Sequence, residues 1–224
     1  MRRLLPWFLP WAACAQQAII NMPSADITPK GKHFFMHETQ TKWWGPDRYW
    51  LGTYFYTYGA GRNTELALTV YNSGAPRAKN EAVGFGFKSS IPLARNGSEA
   101  KLTVGQMGIV NTRGMGLGAF SYTHFNFRTP RTHTRLTAGA WFGTEQLFKR
   151  NTGNVLLGVE HPLDTKDRIE LVAEWFAGAH DFGFAIAGFL FRPTENQVAV
   201  AAYKIPNFRK NGPPGFVFEW GFFF

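Results

Sequence analysis

From residue 33 to its end, the chain runs in segments of about ten residues in which hydrophobic and polar positions alternate, separated by Gly, Pro, Asn and Asp. Leu66, Leu68 and Val70 oppose Glu65, Ala67 and Thr69, and Val83, Phe85, Phe87 and Ile91 oppose Gly84, Gly86, Lys88 and Ser90. Farther on, Leu136, Ala138, Ala140 and Phe142 oppose Arg135, Thr137 and Gly139, while Ile169, Leu171, Ala173 and Trp175 oppose Glu170, Val172 and Glu174. A period of two puts successive side chains on opposite faces of a strand. A helix would need apolar residues three and four apart, and the 24 Gly would weaken helix interiors by ~1 kcal/mol each. The pattern predicts an all-β chain of about twelve strands, or ten if weak segments fuse. The phase is ambiguous in 33–42, and 49–58 is aromatic on both faces.

A secreted β-sandwich also alternates, but its outward face is polar. Here one face of strand after strand is continuously apolar and the other is small or charged, which fits a closed antiparallel transmembrane β-barrel. Composition agrees. The chain holds 22 Phe, 8 Trp and 7 Tyr with only 17% charged residues, more aromatic surface than a core of this size needs. The mean hydropathy of −0.21 is uninformative, because lipid-facing and lumen-facing residues average out.

The N-terminus reads as an export signal. Arg2 and Arg3 precede a short apolar stretch, and Ala13-Cys14-Ala15 is a small-residue cleavage site, so cleavage is expected after Ala15. Residues 1–15 are then a cleaved signal peptide, 16–32 a polar, Pro-containing periplasmic leader, and 33–224 the barrel. Cleavage removes the single cysteine; alternatively, Cys14 is the lipidated first residue of a lipoprotein, although Trp11 departs from the usual aliphatic residue. Loss of Arg2 and Arg3 takes the net charge from +9 to +7. Export makes nucleic acid an implausible counter-charge, leaving outer-membrane lipid and lipopolysaccharide as expected partners.

The final segment is the most specific. Phe216, Phe218, Trp220, Phe222 and Phe224 share one face, and the chain stops at Phe224. A last strand with alternate aromatic residues and a terminal Phe resembles the C-terminal signal of Gram-negative outer-membrane β-barrel proteins. The resemblance implies insertion by the barrel-assembly machinery and residence in the cell outer membrane. It covers the chain as architecture and names no functional family. Termini on the periplasmic side require an even strand number. The outward connections are then 44–48, 72–81, 111–115, 144–154, 177–181 and 204–214.

Candidate chemistry is sparse. Ser121 and His124 are the nearest hydroxyl and imidazole, but their odd separation puts them on opposite strand faces, so no catalytic dyad is expected. His161, His180 and Asp181 match no compact ligand spacing and would lie at opposite membrane sides, so neither a metal nor another cofactor is expected. Gly114, Gly116 and Gly118 precede no helix and read as turn and strand glycines. The inferred lumen carries Lys88, Arg135, Glu160, Glu170 and Glu174 among small residues, and a hydrated interior would make Val172→Arg milder than Leu171→Arg. If 160–170 folds symmetrically about Thr165, Glu160 faces Glu170, and Arg135 and Arg168 complete a charged cluster at the periplasmic mouth. The expected function is a passive channel for ions or small polar solutes. The alternatives are a non-conducting structural or assembly barrel and, more remotely, an outer-membrane lipid hydrolase.

Overall fold

The computed structural model describes residues 18–73, 81–93, 99–112, 116–148, 151–180, 182–209 and 212–224. The cleavage site at Ala13 and Ala15, with Cys14, lies outside the described residues, as do Gly114 and Asp181.

Twelve antiparallel strands close into one barrel, each paired with its sequence neighbours and β1 with β12. They are β1 (His33–Lys42), β2 (Tyr49–Gly59), β3 (Thr64–Ser73), β4 (Ala82–Pro92), β5 (Glu99–Asn111), β6 (Leu117–Arg128), β7 (Arg135–Gly143), β8 (Gly153–Pro162), β9 (Ile169–Phe176), β10 (Phe184–Thr194), β11 (Gln197–Pro206) and β12 (Gly215–Phe223). One short helix, α1 (Glu145–Phe148), interrupts the β7–β8 connection. Closure leaves no open strand edge, the condition for backbone amides to survive in lipid. The seam is complete: Phe34 to Thr41 pair with Phe223 to Phe216, and His33 and Phe224 exchange two backbone hydrogen bonds of 3.0 Å.

The alternation read from the sequence sorts inside from outside. Phe85, Phe142, Leu171, Trp175, Trp220 and Phe222 are exposed around the barrel, whereas Lys88, Arg135, Val172 and Glu174 are buried within it. The ambiguous first strand resolves with Phe34, Met36, Glu38 and Gln40 inward and Phe35 and His37 partly exposed. β1 begins and β12 ends at the same end of the barrel, called here the terminal end; the other is the loop end.

Two expectations are corrected. Of residues 16–32, read as a periplasmic leader, 18–28 lie in the lumen, with Ile19, Ile20 and Met22 fully buried, while 29–32 are exposed. The chain turns inward where Gly31 N–H donates to Gly59 O and Gly59 N–H to Lys32 O; a Cβ on Gly59 would sit 2.1 Å from Pro29 O. The lumen beside Val172 is accordingly packed: Val172 has 0% exposure within the same core as Ile19 and Met22.

The second correction concerns the β8–β9 turn. Pro162 pairs with Glu170 and Glu160 with Val172, so the hairpin centres on Lys166, not Thr165. Asp164 causes the offset: its carboxylate accepts the N–H groups of Arg168 and Ile169 at 2.7 and 3.0 Å, and Asp167 takes φ 51°. Backbone hydrogen bonding, led by the Ile169 N–H, holds the exposed Asp164 carboxyl below its usual range. The shift spans two residues, so inward faces stay inward while the partners change.

Candidate functional site

The lumen divides into a plugged terminal half and an open vestibule at the loop end. The plug begins as a tight hairpin. Ala18 bridges to Pro23, and Ile19 N–H donates to Met22 O at 2.8 Å. The N–H groups of Ile20, Asn21 and Met22 then converge on the Glu174 carboxylate at 3.0, 2.9 and 2.9 Å. Charge-assisted hydrogen bonds of this length are among the stronger ones in a dry interior. Gly158 makes the space: a Cβ there would meet Ile19 Cδ1 at 2.5 Å and Met22 Cε at 2.7 Å.

Lower in the plug, Asp26 receives Arg135 Nη1 at 2.6 Å and Lys101 Nζ at 3.5 Å, and Arg135 also reaches Glu160 at 3.3 Å. Burial opposes ionisation of Asp26, but the charges of Arg135 and Lys101 outweigh it and hold the carboxyl below its usual range. Thr28 donates through its N–H and its hydroxyl to Glu65 Oε2, at 2.7 and 2.9 Å, while Lys88 Nζ pairs with Glu65 Oε1 at 3.0 Å. Each ion buried here therefore has an opposite charge, which such burial requires.

Of the charged cluster expected at this mouth, Arg135 and Glu160 are cross-strand partners and do meet. Glu170 and Arg168 do not join them. Glu170 pairs with Arg192 at 2.7 Å, and Arg192 also donates to Asp167 O, whereas Arg168 is exposed. Lys88 and Glu174 are lumenal as expected but belong to the plug contacts. Sequence reading missed Asp26 because the leader was placed outside, and Arg192 because it lies beyond a bulge near the end of β10.

The C-terminal aromatic residues line the outer face of the closing strand. Phe216 stacks on Trp43 and Phe218, and Phe224 stacks on His33 at 5.3 Å. Ser121 shares the outer face of β6 with Phe125, while His124 is buried in the lumen and contacts Asn126 Oδ1 at 2.7 Å, so the two face apart. His161 meets Thr134 Oγ1 at 2.8 Å, and His180 is enclosed by Trp141, Phe148 and Phe176 at the loop end. Among the described residues no group of three His, Cys, Asp or Glu could hold a metal.

The vestibule is a cavity of about 520 Å³ bounded by Asn21 of the plug, by Glu38, Gln40 and Thr53, and by Tyr49, Phe55, Tyr71 and Phe184. The Lys204 ammonium donates to Gln40 Oε1 and lies 5.8 Å from the ring centroids of Tyr49 and Phe184. Glu38 is fully buried and stands directly across the seam from Glu219, a juxtaposition of first and last strands that only closure reveals.

No protein-family model matches the chain, and no curated protein matches it. Among solved structures, outer membrane phospholipase A from Escherichia coli is similar over 89% of this chain and 94% of its own, at 10% identity and a TM-score of 0.50. Ail, the attachment invasion locus protein of Yersinia pestis, aligns with 87% of this chain and 99% of its own at 9% identity, but a TM-score of 0.27 carries no argument. What this chain shares with the phospholipase is its fold: it is a closed antiparallel β-barrel of the outer-membrane type.

Proposed function

We propose that this protein is a closed outer-membrane barrel, non-conducting in its resting state, that holds a loop-end vestibule over a plug formed by its own N-terminal segment. The observation that carries the reading is the seating of residues 18–28: three backbone N–H groups on Glu174, Asp26 on Arg135 and Thr28 on Glu65. A freely conducting pore of twelve strands needs a hydrated path through the lumen, and the plug occupies that path. Of the readings weighed on the sequence, the non-conducting barrel therefore fits better than the passive channel. The separated Ser121 and His124 give no support to a hydrolase, so the role proposed is non-enzymatic. The exposed aromatic belt suits outer-membrane lipid, and the terminal strand suits the assembly machinery.

Liposome swelling tests the reading. Vesicles containing the refolded wild-type barrel should not swell in small sugars, and a variant lacking residues 18–30 should make them swell. Rapid swelling with the wild type would overturn it.

A further inference from the structure

Three polar side chains face lipid from the β5–β6 hairpin. Along β5 the buried residues Thr103, Gly105 and Ile109 alternate with outward Leu102, Val104, Gln106, Gly108 and Val110, and Gln106 is exposed in the middle of the strand. On β6 Ser121 and Thr123 alternate with buried Tyr122 and His124 and so share that outer face. Gln106 pairs with Ser121 on one side and Phe87 on the other, while Thr123 pairs with Val104 and Ala140. The three therefore form one polar patch within the apolar band. Among the described residues none of these side chains has a hydrogen-bond partner. Acyl chains offer none either, and an amide left unsatisfied in hydrocarbon is costly. The patch calls for a partner inside the membrane.

We propose that this wall is the contact surface of a homodimer, with a two-fold axis along the membrane normal passing beside Gln106. Two copies inserted in the same orientation hold Gln106 at the same depth, so each meets its own counterpart. A side-chain amide carries both donor and acceptor, and two of them exchange reciprocal hydrogen bonds, Nε2 of each to Oε1 of the other. The hydroxyls of Ser121 and Thr123 also donate and accept, so the patch is complementary to itself. Gly108, Ala119 and Ala140 beside it leave a second wall room to approach, as small residues do between membrane segments. Phe85, Phe87, Phe125 and Phe142 stand exposed around it and would seal the polar centre from lipid. Between Leu102 and Val110, and between Leu117 and Phe125, no outward residue is charged, so nothing repels an identical wall. The interface is independent of the plug and the vestibule.

The experiment is sedimentation equilibrium of the refolded barrel in density-matched micelles. The wild type should show a reversible monomer–dimer equilibrium. Gln106→Leu, which suits lipid and leaves the lumen untouched, should keep heat-modifiable folding and raise the dimer dissociation constant at least tenfold. Ala199→Leu, on the outer face of β11 across the barrel, should leave that constant unchanged. The position of the contact is read separately by oxidising cysteine variants in outer membranes, where the expected mature chain has no other thiol. Ser121→Cys or Thr123→Cys should give a cross-linked product of twice the chain's mass, and Ala199→Cys should give none. A wild type that is monomeric at every concentration, a dimer unmoved by Gln106→Leu, or no product from either patch cysteine overturns the proposal. A cross-linked product of any other mass also overturns it, because a different membrane protein then occupies the wall. The wild-type and cysteine results stand even if Gln106→Leu fails to fold.

Discussion

Replacing Glu174 with Leu should loosen the hairpin at the head of the plug. The substitution removes the acceptor of three amides, those of Ile20, Asn21 and Met22, two of which belong to fully buried residues. A buried donor left unsatisfied costs about 1–3 kcal/mol, so three cost about 3 kcal/mol at the low end. That is roughly a 100-fold rise in the open-to-closed ratio of the segment. Hydrogen exchange followed by mass spectrometry reads this directly. In Glu174→Leu the peptide covering residues 18–26 should lose about two orders of magnitude of protection, while β10 and β11 keep theirs. Glu174→Gln, which retains a carbonyl acceptor, should fall between. Protection of residues 18–26 that is unchanged in Glu174→Leu would refute the three-amide anchor.

Leu171→Arg should cost about 2–4 kcal/mol if it lies near the bilayer midplane, and Val172→Arg at least as much, because Val172 is buried beside the plug; refolding titrations into lipid vesicles give the order. Arg135→Met should destabilise the barrel by about 3–5 kcal/mol in urea titrations by stranding Asp26 and Glu160. Because the native Asp26 carboxyl is held below its unfolded value, its contribution is complete above the ordinary carboxylate range. It is lost as pH falls through that range and below, so Asp26→Asn should matter at pH 7 and little in strong acid. Deleting Phe224 removes the aromatic contact with His33 and both terminal seam hydrogen bonds, and should lower the heat-modifiable protein recovered in the outer-membrane fraction.

Strand number, phase and closure were legible because a period of two, repeated over so many segments, admits one arrangement with the apolar face in lipid. Lys88, Arg135, Glu160, Glu170 and Glu174 were assigned to the lumen on that basis, and all are buried. Their partners were less legible. The Asp164 side chain moved the β8–β9 centre by one residue, which separated Glu160 from Glu170 and left Arg168 outside the cluster. Glu38 lay in the one strand whose phase the sequence left open, so its meeting with Glu219 had to await the seam. The plug was hidden by composition, since a Pro-containing polar stretch ordinarily stays in water. Its signal was the pairing of Ile19 and Met22 with a Gly158 that has no side chain of its own to fill the lumen.

Single-channel recording in planar bilayers tests the closed lumen most directly. The wild-type barrel should insert without steady conductance steps, and the barrel lacking residues 18–30 should show them at the same protein density. Steady, equal conductance from both proteins would contradict the account.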